Sequence, residues 1–176
     1  MLRDQSRRNF IRTAPLAAAA AASLPLTDKL LFAAQVLPPT SAIPTQLFTA
    51  ADLLADSAKL QAAPGNNNLF TPPSLPLTVV LTAEQKNAGR DFEFHEGRDH
   101  VFQILDGTTV IEAGGTPQDA HNTGPGEWHA PTSQGVTAYT LHKGDMLVIP
   151  RNTPHKRTTA TAVTFLLISS PGVVKS

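Results

Sequence analysis

From residue 65 onward no long stretch of the chain carries a helical period, while short β-branched runs recur between turn signals. Leu77-Thr78-Val79-Val80-Leu81-Thr82, Asp91-Phe92-Glu93-Phe94-His95 and Ala162-Val163-Thr164-Phe165-Leu166-Leu167-Ile168 are such runs. Turns are expected at Asp106-Gly107, Gly114-Gly115, Gly124-Pro125-Gly126 and Lys143-Gly144, and a polar loop from Glu84 to Arg90. Many short strands punctuated by Gly and Pro indicate an all-β domain, either a barrel or a sandwich. Pro72, Pro73 and Pro76 keep 69–76 out of a central ladder.

Ahead of the strands, one short helix is expected from Thr49, the cap, to about Gln61. Asp52 stands near its positive end, and Pro64-Gly65-Asn66-Asn67-Asn68 stops it. Such a helix packs on the outside of a barrel or covers its mouth. Gln35 to Pro44 reads as an extended linker. The start of the chain, Ser6-Arg7-Arg8-Asn9-Phe10-Ile11-Arg12 followed by an alanine-rich run, resembles a bacterial twin-arginine export signal. The run ends near Leu26, short of the ~20 residues of a comfortable membrane span. The expected organisation is a signal over 1–34, linker and helix over 35–68, and a β-barrel over 69–176. That resemblance implies an exported, periplasmic protein that meets the membrane only during export.

The 176 residues suffice for one domain with a core. Formal net charge is zero, but Arg3, Arg7, Arg8, Arg12 and Lys29 stand against only Asp4 and Asp28 in the first 34 residues. Of the 14 basic and 14 acidic residues, 9 and 12 remain beyond them, a net of −3. Such a domain has no electrostatic attraction for nucleic acid. The absence of cysteine excludes disulfides, thiolate metal sites and a Cys nucleophile. No Gly-x-Ser-x-Gly elbow, phosphate-binding glycine loop or His-Glu-x-x-His helix is present.

All six histidines fall between residues 95 and 155. In the alternating run 91–95, Glu93 and His95 share one strand face and Phe92 and Phe94 the other. Farther on, His100, Phe102 and Ile104 share a face opposite Gln103. With the apolar face inward, His100 lies inside, where an imidazole needs a hydrogen bond or a metal. A bulge after Gly97 leaves a second register open, with Asp99 inward instead. Taken singly, His95 also suits a surface position between charges, and His155 a Pro-bounded turn.

Two stretches together resemble the paired motifs of the cupin superfamily. Gly89, five residues, then His95 matches the start of the first motif, and Gly107 its end. Gly144, Pro150 and His155 match the second. "VFQILDG" and "GDMLVIP" are similar in wording to common cupin sequences, and the resemblance spans about Leu77 to Leu167. It departs at three places. Gly97 replaces the second histidine of His-x-His, His100 replaces the glutamate, and Asn152 replaces a glycine whose left-handed backbone asparagine tolerates.

The resemblance implies a cupin-type jelly-roll β-barrel. It also implies one divalent transition metal (Zn, Fe, Mn, Ni or Cu) on His95, His100 and His155, and a small-molecule substrate. Dioxygenase, isomerase and lyase chemistry are all admitted, as is a non-catalytic binding or sensing module, with or without metal. Glu127 is a candidate general base or fourth ligand, or else a solvated rim residue. Glu93 is a candidate base or a support for the His95 ring. Trp128 lines a pocket or packs in the core or rim, and His121, His129 and His142 are expected at the surface. The apolar run 162–168 needs burial on both faces, as do Val101 and Leu105 on the outside of the barrel. These demands lead to the expectation of a homodimer.

Overall fold

The computed structural model describes residue 43 and residues 45–172. The signal assigned to 1–34, most of the linker and the last four residues lie outside the described residues. Among the described residues one helix, α1 (Ala50–Ala62), precedes eleven strands. These are β1 (Gly65–Phe70), β2 (Thr78–Ala88), β3 (Phe92–His95), β4 (Arg98–Ala113), β5 (Thr116–Gln118), β6 (His121–Gly124), β7 (Glu127–Ala130), β8 (Thr132–Gln134), β9 (Thr137–His142), β10 (Met146–Ile149) and β11 (His155–Pro171). The described residues are thus all-β with one short helix, as expected, and every strand pairing among them is antiparallel.

The helix starts where Thr49 caps it: the Thr49 hydroxyl accepts from the Asp52 N–H at 3.1 Å. It ends before Pro64, with the Ala63 N–H bonded back to the Lys59 carbonyl. Leu53, Asp56, Ser57, Leu60 and Gln61 are its less exposed positions, one stripe at helical spacing. Gln61 Nε2 donates to Thr164 Oγ1 on β11 and to Asp106 Oδ2 on β4, each at 3.0 Å. Thr164 is fully buried and Leu166 is buried, as are Val163 and Phe165 on the other face. α1 therefore supplies part of the second-face burial that the apolar run demands.

β11 is the spine. It runs between β2 and β4, and at its start His155 also pairs with Glu93 of β3. β3 leads on to β7 and β6, while β10 and β9 cover successive halves of the far edge of β4. β5 and β8 form a separate two-stranded sheet. Phe102, Ile104, Ile111, Leu141, Ile149, Val163 and Phe165 form the core. Each such side chain contributes roughly 1.5–3 kcal/mol by leaving water.

The β4–β11 ladder has to curl. His100 pairs with Ser169 at one end, and His155 pairs with Ala113 at the other. Residues 100 and 113 of a straight strand stand ~43 Å apart, yet the His100 and His155 rings are 5.6 Å apart, centroid to centroid. The bend lies at Gly107. Before it His100, Phe102 and Ile104 are buried; after it Thr109 and Ile111 are, so the inward face switches parity. Register with β11 shifts across the same point. Asp106-Gly107 is therefore a bulge inside one continuous strand, not the chain-reversing turn expected there. Gly107 has φ +79°, and a Cβ there would press on the Ala162 carbonyl.

Two other expectations are corrected. The polar residues Glu84–Ala88 continue β2, because their backbones pair with β11 whatever their side chains are. Asn66-Asn67-Asn68, read only as a helix stop, also belong to edge strand β1, which pairs with β2 alone.

Candidate metal centre

Three strands and one pinned loop bring three histidines together. His95 ends β3, His100 is the third residue of β4, and His155 opens β11. The loop 150–154 before His155 is fastened on three sides. Asp99 accepts from the Arg151 N–H at 2.8 Å and from Arg151 Nη2 at 2.6 Å. The Asn152 N–H donates to the His95 carbonyl, and the Gly114 N–H to the Pro154 carbonyl, each at 2.8 Å. Asn152 takes the left-handed backbone expected of it, with φ 61°. Arg151 and its backbone N–H hold the Asp99 carboxyl down to about 2. The open register is thereby settled: His100 faces inward, and Asp99 secures the loop.

The three histidine residues are 3–8% exposed. Their centroids lie 4.8 Å (His95–His100), 5.5 Å (His95–His155) and 5.6 Å (His100–His155) apart. One ligand-capable nitrogen from each lies within 4.8 Å of the other two. Such nitrogens all fall within about 2.8 Å of a common point, so sub-ångström shifts bring them to metal–nitrogen bonds of ~2.0–2.1 Å.

Each ring is also held from behind through Nδ1. His95 Nδ1 meets Glu127 Oε2 at 2.6 Å, His100 Nδ1 meets Ser169 Oγ at 2.8 Å, and His155 Nδ1 meets the Thr153 carbonyl at 2.9 Å. A carboxylate and a carbonyl accept, so His95 and His155 carry their proton on Nδ1 when neutral, and the Ser169 hydroxyl can accept in the same way. That tautomer leaves the Nε2 lone pairs for a ligand. Partners of this kind orient metal-binding imidazoles and raise their basicity. His155 Nε2 is buried and lacks any hydrogen-bond partner, a costly state unless something binds it. On donor type, tautomer and burial the residues fit a metal.

Burial, with the two neighbouring rings, pushes His100 down to about 4. Burial also lowers His95. Both rings are therefore neutral near pH 7, as ligation requires. Burial alone would raise Glu127, but Arg98 and His95 more than offset it and keep the group ionised. Both Glu127 oxygens are engaged, Oε2 by His95 and Oε1 by Arg98 Nη2. Glu93 is half exposed, with Oε1 3.5 Å from His155 Nε2.

Trp128 stacks on Phe94 and its Nε1 donates to Glu96 Oε1 at 2.8 Å. It lies on the strand face opposite His95, so it does not line the histidine cluster. His121, His129 and His142 lie away from the cluster and are at least partly exposed. The supports that sequence reasoning missed are Ser169, Arg98, Arg151 and the Thr153 carbonyl. Ser169 is 69 residues from His100, and no local pattern marks it.

No protein-family model matches the chain, and no curated protein sequence matches it. Solved structures do. A cupin-2 domain containing protein from Shewanella frigidimarina is 18% identical, with 65% of this chain and 89% of that one covered, at a TM-score of 0.42. Hydroquinone 1,2-dioxygenase from Sphingomonas sp., solved with 4-hydroxybenzoate bound, is 14% identical over 69% of this chain and 74% of its own, at 0.49. A protein from Neisseria meningitidis is 13% identical over 68% and 96%, at 0.47.

Proposed function

We propose that this chain is an exported metal-dependent enzyme acting on a small molecule, with dioxygenase, isomerase or lyase chemistry. His95, His100 and His155 hold one divalent transition metal. The observation that carries this reading is the orientation of the three buried rings: each has its Nδ1 held, and His155 Nε2 is left orphaned. When bound, such a metal supplies a Lewis acid with open positions that polarises a substrate oxygen and acidifies ligated water. The chain's own residues fix the rest. Glu127 and Arg98 set the His95 ring, Ser169 sets His100, and the Asp99–Arg151 pair sets the loop carrying His155. Of the two candidate carboxylates, Glu127 has both oxygens engaged by His95 and Arg98, which leaves Glu93 as the one open toward the histidine nitrogens.

The test begins with metal content. The mature protein from its native compartment should hold close to one metal per chain, lost in His95→Ala and His155→Ala. A wild type without metal sinks the reading. Metal retained without turnover of small hydroxylated or keto compounds leaves a non-catalytic binding or sensing module in its place.

Export rests on the Arg7-Arg8 signature over 1–34 and is tested by replacing both arginines with lysine, which should keep the protein in the cytoplasm. A homodimer is supported by Met146 and Val148, 58% and 59% exposed on the edge strand β10. Light scattering giving a monomeric mass removes it.

A further inference from the structure

Two carboxylates approach the histidine cluster, and they meet different ring nitrogens. Glu127 contacts His95 at Nδ1. The two ring nitrogens flank Cε1 and their lone pairs diverge, so Glu127, bound at Nδ1, stands away from the direction in which the His95 Nε2 lone pair points. Glu93 contacts His155 on the other nitrogen, Nε2. Strand pairing fixes this placement. His155 and Glu93 are direct cross-strand partners, and Glu93 shares a face of β3 with His95.

The contact between Glu93 and His155 is unusual. His155 donates from Nδ1 to the Thr153 carbonyl, so in the neutral ring Nε2 carries a lone pair. A carboxylate oxygen and this lone pair are both acceptors, and they face each other across 3.5 Å. A proton between them would draw the pair to ~2.7–2.9 Å, the length of a charge-assisted hydrogen bond. Two ligands of one tetrahedral ion, with bonds of ~2.0–2.1 Å, stand about 3.3 Å apart. The observed spacing matches the edge of a coordination polyhedron, and Nε2 has no other partner.

We propose that Glu93 is the fourth protein ligand of the metal, completing a set of three imidazoles and one carboxylate. The assignment rests on the three-histidine reading above and goes beyond it. Glu93 lies two residues ahead of His95, in the unspecified five-residue spacer of the first resembled motif, and it supplies the carboxylate that His100 displaced from its motif position. It also separates the two glutamates: Glu93 binds the metal, while Glu127 is a positioning residue acting through His95. A set of three nitrogens and one oxygen suits Zn²⁺, Fe²⁺ or Mn²⁺ and disfavours Cu⁺.

Cobalt(II) is the probe, because its visible bands report ligand type and number. The metal-free full chain is titrated with Co²⁺ as wild type, Glu93→Gln, Glu93→Asp and Glu127→Gln, with affinity measured by chelator competition. Wild type should take up one Co²⁺ per chain. Glu93→Gln should shift the bands and weaken binding more than Glu127→Gln does. Glu127→Gln should keep the wild-type bands and lose about 10–100-fold in affinity, the usual cost of removing an outer-shell partner. Glu93→Asp, which keeps the charge on a shorter arm, should recover part of the affinity lost in Glu93→Gln. Circular dichroism of metal-free Glu93→Gln matching wild type shows that the loss is not unfolding. Wild-type bands and affinity in Glu93→Gln overturn the proposal and leave the triad standing. No Co²⁺ uptake by wild type overturns the three-histidine reading, and this proposal with it.

Discussion

His121 and His129 face each other across β6 and β7 with ring centroids 6.1 Å apart, nearly as close as the pairs within the buried cluster. Proximity is therefore shared by both regions. What differs is their setting. His95, His100 and His155 are buried, and each has its Nδ1 hydrogen-bonded within 3 Å. His129 meets Asp91 only at 3.9 Å and His142 meets Asp145 at 3.6 Å, both with side chains more than 40% exposed. At the surface an imidazole can change tautomer, rotate and bind water. In the buried cluster each ring is held through Nδ1, and the remaining nitrogen of His155 is buried with no hydrogen-bond partner. What sets the proposed metal site apart from the surface histidines is the partner behind each ring and the solvent excluded around it.

The largest effect that tests this contrast is on metal affinity. His100→Ala should weaken metal binding by more than the ~10–100-fold typical of losing an outer partner, measured by competition dialysis. The triple variant His121→Ala, His129→Ala, His142→Ala should bind as wild type does. Equal losses in both would break the contrast.

Stripping the metal comes next. At ligand concentrations of 100–1,000 Kd, binding stabilises a fold by ~3–4 kcal/mol. Chelation should lower the melting temperature of wild type and of the surface triple variant alike, and should leave His155→Ala unchanged.

The metal-free protein should also lose stability in acid, in a window set by the buried rings. His100 has a folded pKa of about 4 against 6.5 unfolded, so between those values the unfolded chain binds the extra proton. Stability then falls as pH drops from 6.5 toward 4, by up to roughly 3 kcal/mol. Denaturant midpoints measured across that range should show the slope, and metal should suppress it. A flat profile for the metal-free protein contradicts the burial argument.

A smaller effect concerns the outer partner itself. Ser169→Ala leaves His100 Nδ1 buried without its bond and should cost ~1–3 kcal/mol of stability, together with a loss of metal affinity. The same substitution at Thr123, whose hydroxyl makes only a long 3.3 Å contact at the surface, should change the fold by less than about 0.5 kcal/mol and leave metal binding alone.

The spacing of glycines around His95 and His155 makes those two candidate ligands legible in the amino-acid sequence alone. The alternation 100–102–104 favours His100 without excluding Asp99, because register across a bulge depends on what the strand pairs with. The supports were out of reach for the same reason. Ser169 stands opposite His100 only because β4 and β11 pair along their length, and that pairing is a long-range outcome. Gly107 carries a true signal that the chain changes direction there. Its Asp-Gly form suggests a hairpin, but the next partners of β4 come from β9 and β11, so the chain bends and continues. Glu84–Ala88 look like a loop because their side chains are polar, although a ladder needs only their backbones. The nearness of Glu93 to His155 likewise follows from β3 pairing with β11, 62 positions apart in the chain.

The central claim is that three imidazoles converge on one metal. X-ray absorption at the metal edge of the loaded full-length protein measures this directly, since imidazole rings give a countable outer-shell pattern. The expected result is three imidazoles with nitrogens at ~2.0–2.1 Å and one oxygen from a carboxylate. A spectrum with one imidazole or none, or a chain that retains no metal to measure, would contradict it.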